Sequence, residues 1–82
     1  MKTITTRKCR TLDVRTLLAR GEEPFPMIMT TIAALQPAED LLLITPFLPS
    51  PLIEKLRSDG YHARPERRAD AGWQTLFSKV GR

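Results

Sequence analysis

The residues able to do chemistry are few in this 82-residue chain, which has one cysteine, Cys9, and one histidine, His62. Three cations flank the cysteine, Arg7, Lys8 and Arg10, and their charge would stabilise a thiolate. The chain has no second cysteine to resolve an oxidised form, and His62 has no histidine partner for a metal site. We therefore predict no catalytic centre, no metal site and no cofactor, and keep Cys9 as a candidate thiol.

Two neighbouring carboxylates, Glu22 and Glu23, precede the segment Pro24-Phe25-Pro26. Paired carboxylates can share a proton when the pKa of one is raised. Neighbouring residues at a helix start point in different directions, however, and the helix dipole favours negative charge there by ~0.3–1 kcal/mol. The pattern favours a structural role over acid–base catalysis. It also disfavours a phosphate site, because prolines lack N–H donors and glutamates repel anions.

Proline marks the start of two predicted helices, since it is tolerated in the first turn of a helix and disruptive in the interior. The first helix is predicted over residues 24–36, with Pro24 at the first helical position and Pro26 at the third. The second is predicted over residues 51–59, with Ser50 as its N-cap. The apolar residues that recur at helical spacing in the first are Phe25, Ile28, Met29, Ile32 and Leu35.

Four segments have the pattern of strands. Residues 11–15 alternate polar and apolar side chains, which is typical of a strand with one buried face. Residues 41–44 are continuously apolar, as in a central strand. Residues 61–68 contain Pro65 and several arginines, which indicates a sheet edge. Residues 72–80 alternate again and form the last strand.

The same alternation predicts which side chains face the core. Leu12 and Val14 do so in the first strand, which a loop over residues 16–23 connects to the first helix. A hairpin turn over residues 70–72 is predicted, with positive φ at Gly72. In the last strand the core-facing set is Trp73, Thr75 and Phe77. The order β-α-β-α-β-β predicts an α+β fold, a two-layer α/β sandwich with both helices on one face of the sheet.

Three motifs occur in a characteristic order. The first is Leu12-Asp13-Val14-Arg15, and the second is a helix opened by Pro24-x-Pro26. The third is Pro49-x-Pro51-Leu52, which is followed later in the chain by Gly60 and an aromatic residue, Tyr61. Together they resemble the small TusA/SirA-like fold and, within it, the branch called domain of unknown function family 2249. The resemblance begins near residue 10, so residues 1–9 are interpreted as a basic tail and residues 10–82 as one TusA-like domain. It implies a mixed four-stranded sheet in the order 1-2-4-3.

The resemblance also bears on activity. Sulfur-carrier members have a cysteine immediately before the first proline, where this chain has Glu23, and a carboxylate cannot carry sulfane sulfur. Many relatives in the branch have His-Asp-Pro after the second strand, where this chain has Phe47-Leu48-Pro49. The resemblance therefore implies a non-catalytic accessory or interaction module associated with redox or sulfur metabolism, in a group often found with hemerythrin-like proteins. A sulfur carrier or redox thiol acting through Cys9 is the alternative.

Composition and charge argue against two further functional classes, nucleic-acid-binding proteins and membrane proteins. The formal net charge is +4, which favours a solvated basic surface over a weak nucleic-acid-binding domain. No segment approaches the ~20 apolar residues of a membrane span, and no signal peptide is recognisable, so we expect a cytoplasmic protein without membrane contact. The cations that would contact nucleic acid are Lys2, Arg7, Lys8, Arg10, Arg64, Arg67 and Arg68.

Open α/β sheets bind their ligands beyond the carboxyl ends of the strands. We therefore expect a ligand or partner site there, and favour a partner protein; a homodimer is left open. Phe47 and Leu48, in a turn between two prolines, would be exposed beside the charges of Arg15 and Glu23, whereas the alternative packs Phe47 under the loop as core. The candidate site consists of Arg15, Glu23, Pro24, Phe25, Pro26, Phe47 and Leu48.

Overall fold

The computed structural model describes residues 8–79 and contains four strands and three helices. The elements are β1 (Lys8–Asp13), α1 (Arg15–Ala19), α2 (Phe25–Ala33), β2 (Glu39–Thr45), α3 (Ser50–Ser58), β3 (Tyr61–Arg67) and β4 (Trp73–Lys79). Most of the predicted basic tail, residues 1–7, and the end of the last predicted strand, Val80, lie outside the described residues.

The four strands form one mixed sheet in the order β1-β2-β4-β3, which confirms the predicted topology. β1 pairs with β2 in parallel, and β4 runs antiparallel to both β2 and β3. Three of the strands therefore run in one direction with β4 inserted between two of them. As a result, the chain leaves β1 and β2 at the same end of the sheet.

One face of the sheet carries the core. Leu41 and Leu43 of β2 and Phe77 of β4 have no exposed surface, and burying each such side chain stabilises the fold by ~1.5–3 kcal/mol. The helices cover this face with apolar side chains, so the predicted two-layer arrangement is confirmed. The buried helix residues are Ile28, Ile32, Ile53 and Leu56.

The predicted core-facing set of the last strand lies on this same face. Thr75 and Phe77 are fully buried. Trp73 is only half-buried, and the guanidinium of Arg67 lies 5.7 Å from the centroid of its ring. The alternation therefore identified the correct face, although Trp73 lies at the edge of the core and not at its centre.

β1 begins at Lys8, three residues before the start of the first predicted strand, and ends at Asp13. Val14 is buried as predicted but is the N-cap of α1, a five-residue helix in the segment predicted as a loop. The sequence did not indicate this start, because Arg10 is charged where a strand with one buried face would have an apolar residue. Its guanidinium binds Glu39 through two bonds, Nε to Oε2 at 3.1 Å and Nη2 to Oε1 at 3.2 Å, so a charged residue can occupy a sheet position.

Each of the two long helices has proline at its N-cap and again at its second residue. α2 has Pro24 and Pro26 at these positions and ends at Ala33, three residues before the predicted end. α3 has Pro49 and Pro51 there, and its N-cap side chain makes no capping hydrogen bond. Ser50, predicted as the N-cap, is instead the first helical residue. Proline can take the N-cap because that position donates no intrahelical hydrogen bond.

The free edge of β3 is blocked against further strand pairing. The N–H of Arg68 donates to the carbonyl of Gly72 at 2.8 Å, so the even-numbered residues of β3 bond to β4 and the odd-numbered ones turn outward. Pro65 is therefore an outward residue without an N–H. The outward carbonyl of Ala63 accepts a hydrogen bond from Arg57 Nη2 at 3.0 Å. The predicted edge strand is confirmed.

The hairpin turn differs from the prediction, because Ala71 has the positive φ, 70°, rather than Gly72. Gly72 meets a requirement for space instead. A Cβ at this residue would lie 3.0 Å from the carbonyl oxygen of Thr45 and 3.1 Å from Arg15 Nη1. Close approach of two neighbouring segments, rather than backbone conformation, explains the glycine.

Two substitutions in this turn should have opposite effects. Ala71→Gly should raise the free energy of unfolding by about 0.5–1 kcal/mol, because it removes the cost of a left-handed conformation for a residue with a Cβ. Gly72→Ala should lower it, because the added methyl group meets the Thr45 carbonyl. Urea denaturation of both variants measures the difference. Equal destabilisation by the two would contradict this account of the turn.

A second prediction concerns the hydroxyl of Thr75, which is fully buried and has no hydrogen-bond partner within residues 8–79. Thr75→Val should raise the free energy of unfolding by ~1 kcal/mol, because it removes an unsatisfied polar group and preserves the side-chain shape. Thr75→Ser is the control. It keeps the hydroxyl and loses a buried methyl group, so its midpoint in urea should fall below that of the wild type.

Candidate functional site

An open cavity of about 370 Å³ lies beyond the carboxyl ends of β1 and β2, between the first turns of α2 and α3. We call it the helix-start pocket. It is lined by Val14, Leu18, Glu23, Pro24, Phe25, Ile28, Thr45, Phe47, Pro49, Pro51, Leu52 and Lys55.

The prolines explain why the walls of this pocket are almost entirely apolar. The first four N–H groups of a helix usually have no intrahelical partner and attract anions. In α2, Pro24 and Pro26 have no N–H, and in α3 the same holds for Pro49 and Pro51. In addition, the N–H of Ser50 donates to the carbonyl of Leu48 at 2.9 Å. Two helix starts thus meet at a surface with few polar groups.

A short turn between β2 and α3 places Phe47 at the mouth of the pocket. The hydroxyl of Thr45, itself buried, donates to the carbonyl of Phe47 and fixes the turn. The side chain of Phe47 is 54% exposed, so the alternative in which it packs as core does not describe the structure. Neighbouring Leu48 is also exposed. The turn therefore presents two apolar side chains outward.

The start of α2 adds two further exposed apolar side chains, Phe25 and Met27. Phe25 lines the helix-start pocket, and Met27 follows it in the same helical turn. The charged residues lining the pocket are Glu23, ahead of α2, and Lys55, whose ammonium lies 3.3 Å from the carboxylate of Asp59. An apolar surface with one charge of each sign at its border results.

Arg15, predicted to join Glu23, is directed toward the β3–β4 hairpin instead. Its guanidinium donates two hydrogen bonds to the carboxylate of Asp13, from Nε to Oδ1 at 3.0 Å and from Nη2 to Oδ2 at 2.8 Å. Nη1 of the same group lies 3.1 Å from Oδ2 of Asp70. Asp13 also accepts the N–H of Arg15 at 3.0 Å. Arg15 therefore links the end of β1 to the hairpin and does not line the pocket.

The hydrogen-bond network continues across the hairpin. Arg68 Nε donates to Asp70 Oδ1 at 3.0 Å, and its Nη1 donates to Gln74 Oε1 at 2.9 Å. Gln74 in turn donates to Glu66 at 3.2 Å. The hydrogen bonds from Arg68, followed by those from Arg15, lower the pKa of Asp70 from 3.8 to about 2. These groups are partly or largely exposed, so each pair contributes modestly to stability.

The candidate thiol is remote from the helix-start pocket. Cys9 is exposed near the amino end of β1, whereas the pocket lies beyond the carboxyl end of that strand. His62 is exposed on β3, at the far side of the sheet. Among residues 8–79, no three His, Cys, Asp or Glu side chains are grouped as a metal site requires.

The described cations proposed for nucleic-acid contact are dispersed and mostly engaged. Arg10 and Arg68 each bind a carboxylate, and Arg67 lies over the ring of Trp73. Arg64 is exposed on the edge strand. Lys8 and Arg10 lie on β1, whereas Arg64 and Arg67 lie on β3 at the opposite edge of the sheet, so these described cations do not form one basic surface. Outside the described residues lie Lys2 and Arg7.

Four of the seven predicted site residues line the helix-start pocket, and Arg15, Pro26 and Leu48 do not. The residues that the sequence analysis missed come mainly from α3 and the core. A signal for α3 was present in Pro49-x-Pro51, which repeats the motif that opens α2. The lining residues outside the predicted set of seven are Val14, Leu18, Ile28, Thr45, Pro49, Pro51, Leu52 and Lys55.

The lowered pKa of Asp70 predicts a specific loss of stability in acid. A carboxylate whose pKa is lower in the folded state stabilises the fold above its unfolded pKa, and this contribution is lost as protons bind. As the pH falls from 3.8 to about 2, the wild type should lose more free energy of unfolding than Asp70→Asn. Urea denaturation at several pH values measures this, with Glu54→Gln, outside the network, as the control. Parallel curves for wild type and Asp70→Asn would contradict the prediction.

The comparisons with known proteins place the chain in a family without assigning an activity. No helix within residues 8–79 is long and apolar enough to cross a membrane. No curated protein and no solved structure matches the chain significantly. A family described as "Uncharacterized conserved protein (DUF2249)" matches residues 11–79, which include the second half of β1 and every later element. The chain belongs to this DUF2249 family.

Proposed function

We propose that this domain is a non-catalytic interaction module that binds a partner protein by accepting one of its apolar side chains in the helix-start pocket. The observation that carries the proposal is the pocket itself, a cavity of about 370 Å³ with almost wholly apolar walls. Pockets that hold small ligands have volumes of ~300–1,000 Å³, so this cavity is large enough to enclose a bound apolar group. This one lies where open α/β sheets bind their ligands.

The surroundings of the pocket favour a protein over a small molecule. Four large apolar side chains are 40–54% exposed: Phe25, Met27, Phe47 and Leu48. They belong to the two elements that form the mouth of the pocket, and a small ligand enclosed by the pocket would leave much of their surface in water. Clusters of exposed aromatic and aliphatic side chains next to a concavity are typical of protein interfaces.

The polar groups of the pocket support binding rather than chemistry. The hydroxyl of Thr45 is engaged with the carbonyl of Phe47. Glu23 and Lys55 lie at the border, where charges of opposite sign can set the orientation of a partner. We infer that the partner brings an apolar anchor flanked by charged residues.

The finer assignment, a TusA/SirA-like accessory module of the cytoplasm in redox or sulfur metabolism, rests on the sequence motifs. Glu23 at the position before Pro24 supports an accessory role over sulfur transfer, because a carboxylate cannot hold sulfane sulfur. Cys9 gives the sulfur-carrier alternative little support, because it lies on an edge strand and not at a helix N-terminus, where a thiolate would be stabilised.

Affinity capture from an extract of the source cells tests the proposed function. Immobilised wild-type domain should retain a specific partner, identified by mass spectrometry. Phe47→Ser should reduce its recovery about tenfold or more, because losing the apolar surface that Phe47 would bury against the partner costs ~1.5–3 kcal/mol. Glu23→Lys should also weaken capture by reversing a border charge. Since both side chains are exposed, both variants should keep the wild-type circular dichroism spectrum.

Two control variants separate the helix-start pocket from other surfaces. Phe47→Leu keeps an apolar side chain and should retain most of the partner. His62→Ser changes an exposed residue on the far strand and should behave as the wild type. Recovery of the same partner by Phe47→Ser and Glu23→Lys at wild-type levels would place the binding site elsewhere.

A further inference from the structure

The outer edge of β1 has backbone groups that turn away from the sheet. The N–H of Lys8 donates to the carbonyl of Ala38 at 3.1 Å, and that of Val14 donates to Ile44 at 3.0 Å. Because bonding alternates along a strand, the even-numbered residues of β1 bond to β2 and the odd-numbered ones turn outward. The outward residues, all exposed, are Cys9, Thr11 and Asp13. Within residues 8–79, no strand pairs with this edge.

The two edges of the sheet therefore differ. On β3, Pro65 has no N–H to offer, and Arg57 occupies the outward carbonyl of Ala63. On β1, Thr11 is exposed, and its N–H and C=O groups turn outward. Within the described residues, no strand lies opposite these groups. Among the described residues, the edge that can receive another strand is therefore that of β1.

We propose that β1 is the contact through which a second copy of this chain binds, by antiparallel pairing of the two β1 strands across a two-fold axis. The two four-stranded sheets then form one continuous eight-stranded sheet. Because β3 is blocked in each copy, the assembly closes at two copies and cannot grow into a filament.

The alternation of the strand limits the register of this dimer. A two-fold axis perpendicular to the sheet places residues of equal parity opposite each other. An axis at Thr11 sets Thr11 against its own copy and Cys9 against Asp13, so all the outward residues pair. On the other face Arg10 meets Leu12 of the second copy. This register places no two like charges directly opposite.

The neighbouring registers are less favourable. An axis at Arg10 would set two arginines face to face, and an axis at Cys9 would set Lys8 against Arg10 of the second copy. Like charges directly opposite each other destabilise a strand pair. An axis at Leu12 sets no like charges opposite each other, but it places Cys9 opposite Arg15, beyond the end of β1, so one outward residue is left unpaired. The register centred on Thr11 is therefore the one that combines full backbone pairing with acceptable charge pairing.

The size of the contact predicts a weak dimer. β1 has six residues, so the strand pair buries less than the ~1,200 Å² typical of stable complexes. We therefore expect a concentration-dependent monomer–dimer equilibrium rather than a permanent assembly. Sedimentation velocity of the full chain, from low micromolar to near-millimolar concentration, should show the dimer fraction rising without larger species.

A proline substitution tests the backbone contact. Thr11→Pro removes an N–H that makes no bond to β2, and Pro65 shows that this sheet accepts proline at an outward edge position. The variant should fold normally by circular dichroism and dimerise at least about tenfold more weakly, because the central pair of hydrogen bonds is lost. Thr11→Val keeps the N–H and is the matched control, expected to dimerise as the wild type.

A cross-link tests the register. Thr11→Cys in a Cys9→Ser background places two cysteines opposite each other at a Cα separation of about 5.5 Å, within the range for a disulfide. Mild oxidation should give covalent dimers of this variant and few of the wild type, whose Cys9 faces Asp13. A monomer at every concentration, a dimer that Thr11→Pro leaves intact, or an open-ended polymer would each overturn the proposal.

Discussion

The burial of one sheet face is the interaction on which the rest of this structure depends. Leu41, Leu43 and Phe77 are fully buried only because α2 and α3 both cover their side of the sheet. The short α1 and then α2 follow β1, and α3 follows β2; because these strands are parallel and the pocket is lined by the first residues of both α2 and α3, both helices start at the same end of the sheet. The helix-start pocket lies between those starts. Its position is thus a consequence of the topology.

The prolines at these starts decide what the pocket can bind. Two helix N-termini directed at one cavity would ordinarily favour an anion, through free N–H groups and aligned dipoles. Here proline occupies the N-cap and the second residue of both helices, so half of those donors do not exist. Arg15, the cation of the motif Leu12-Asp13-Val14-Arg15, forms ion pairs with Asp13 and Asp70 and does not line the pocket. The pocket is left with apolar walls, which suits an apolar anchor.

The fold was largely predictable from the sequence because its signals are local, whereas the site depends on contacts between distant residues. Apolar spacing and proline positions identified every strand and both long helices, but the five residues of α1 are too short for a recognisable period. The orientation of Arg15 depends on Asp70, far along the chain, and the close approach at Gly72 depends on Thr45. Sequence spacing alone could not predict these contacts. For the same reason it found the part of the pocket from α2 and missed the part from α3.

The two proposals rest on different surfaces and meet in β1. Val14, which follows the carboxyl end of this strand, lines the helix-start pocket, while Thr11 lies at the centre of the proposed strand pair. A dimer joined through β1 would therefore present two pockets related by the two-fold axis. A partner with two apolar anchors at matching separation would bind the second pocket as an intramolecular event, at a raised effective concentration. Even a weak dimer would then increase the affinity of a weak pocket, because occupation of both pockets by one partner also stabilises the dimer.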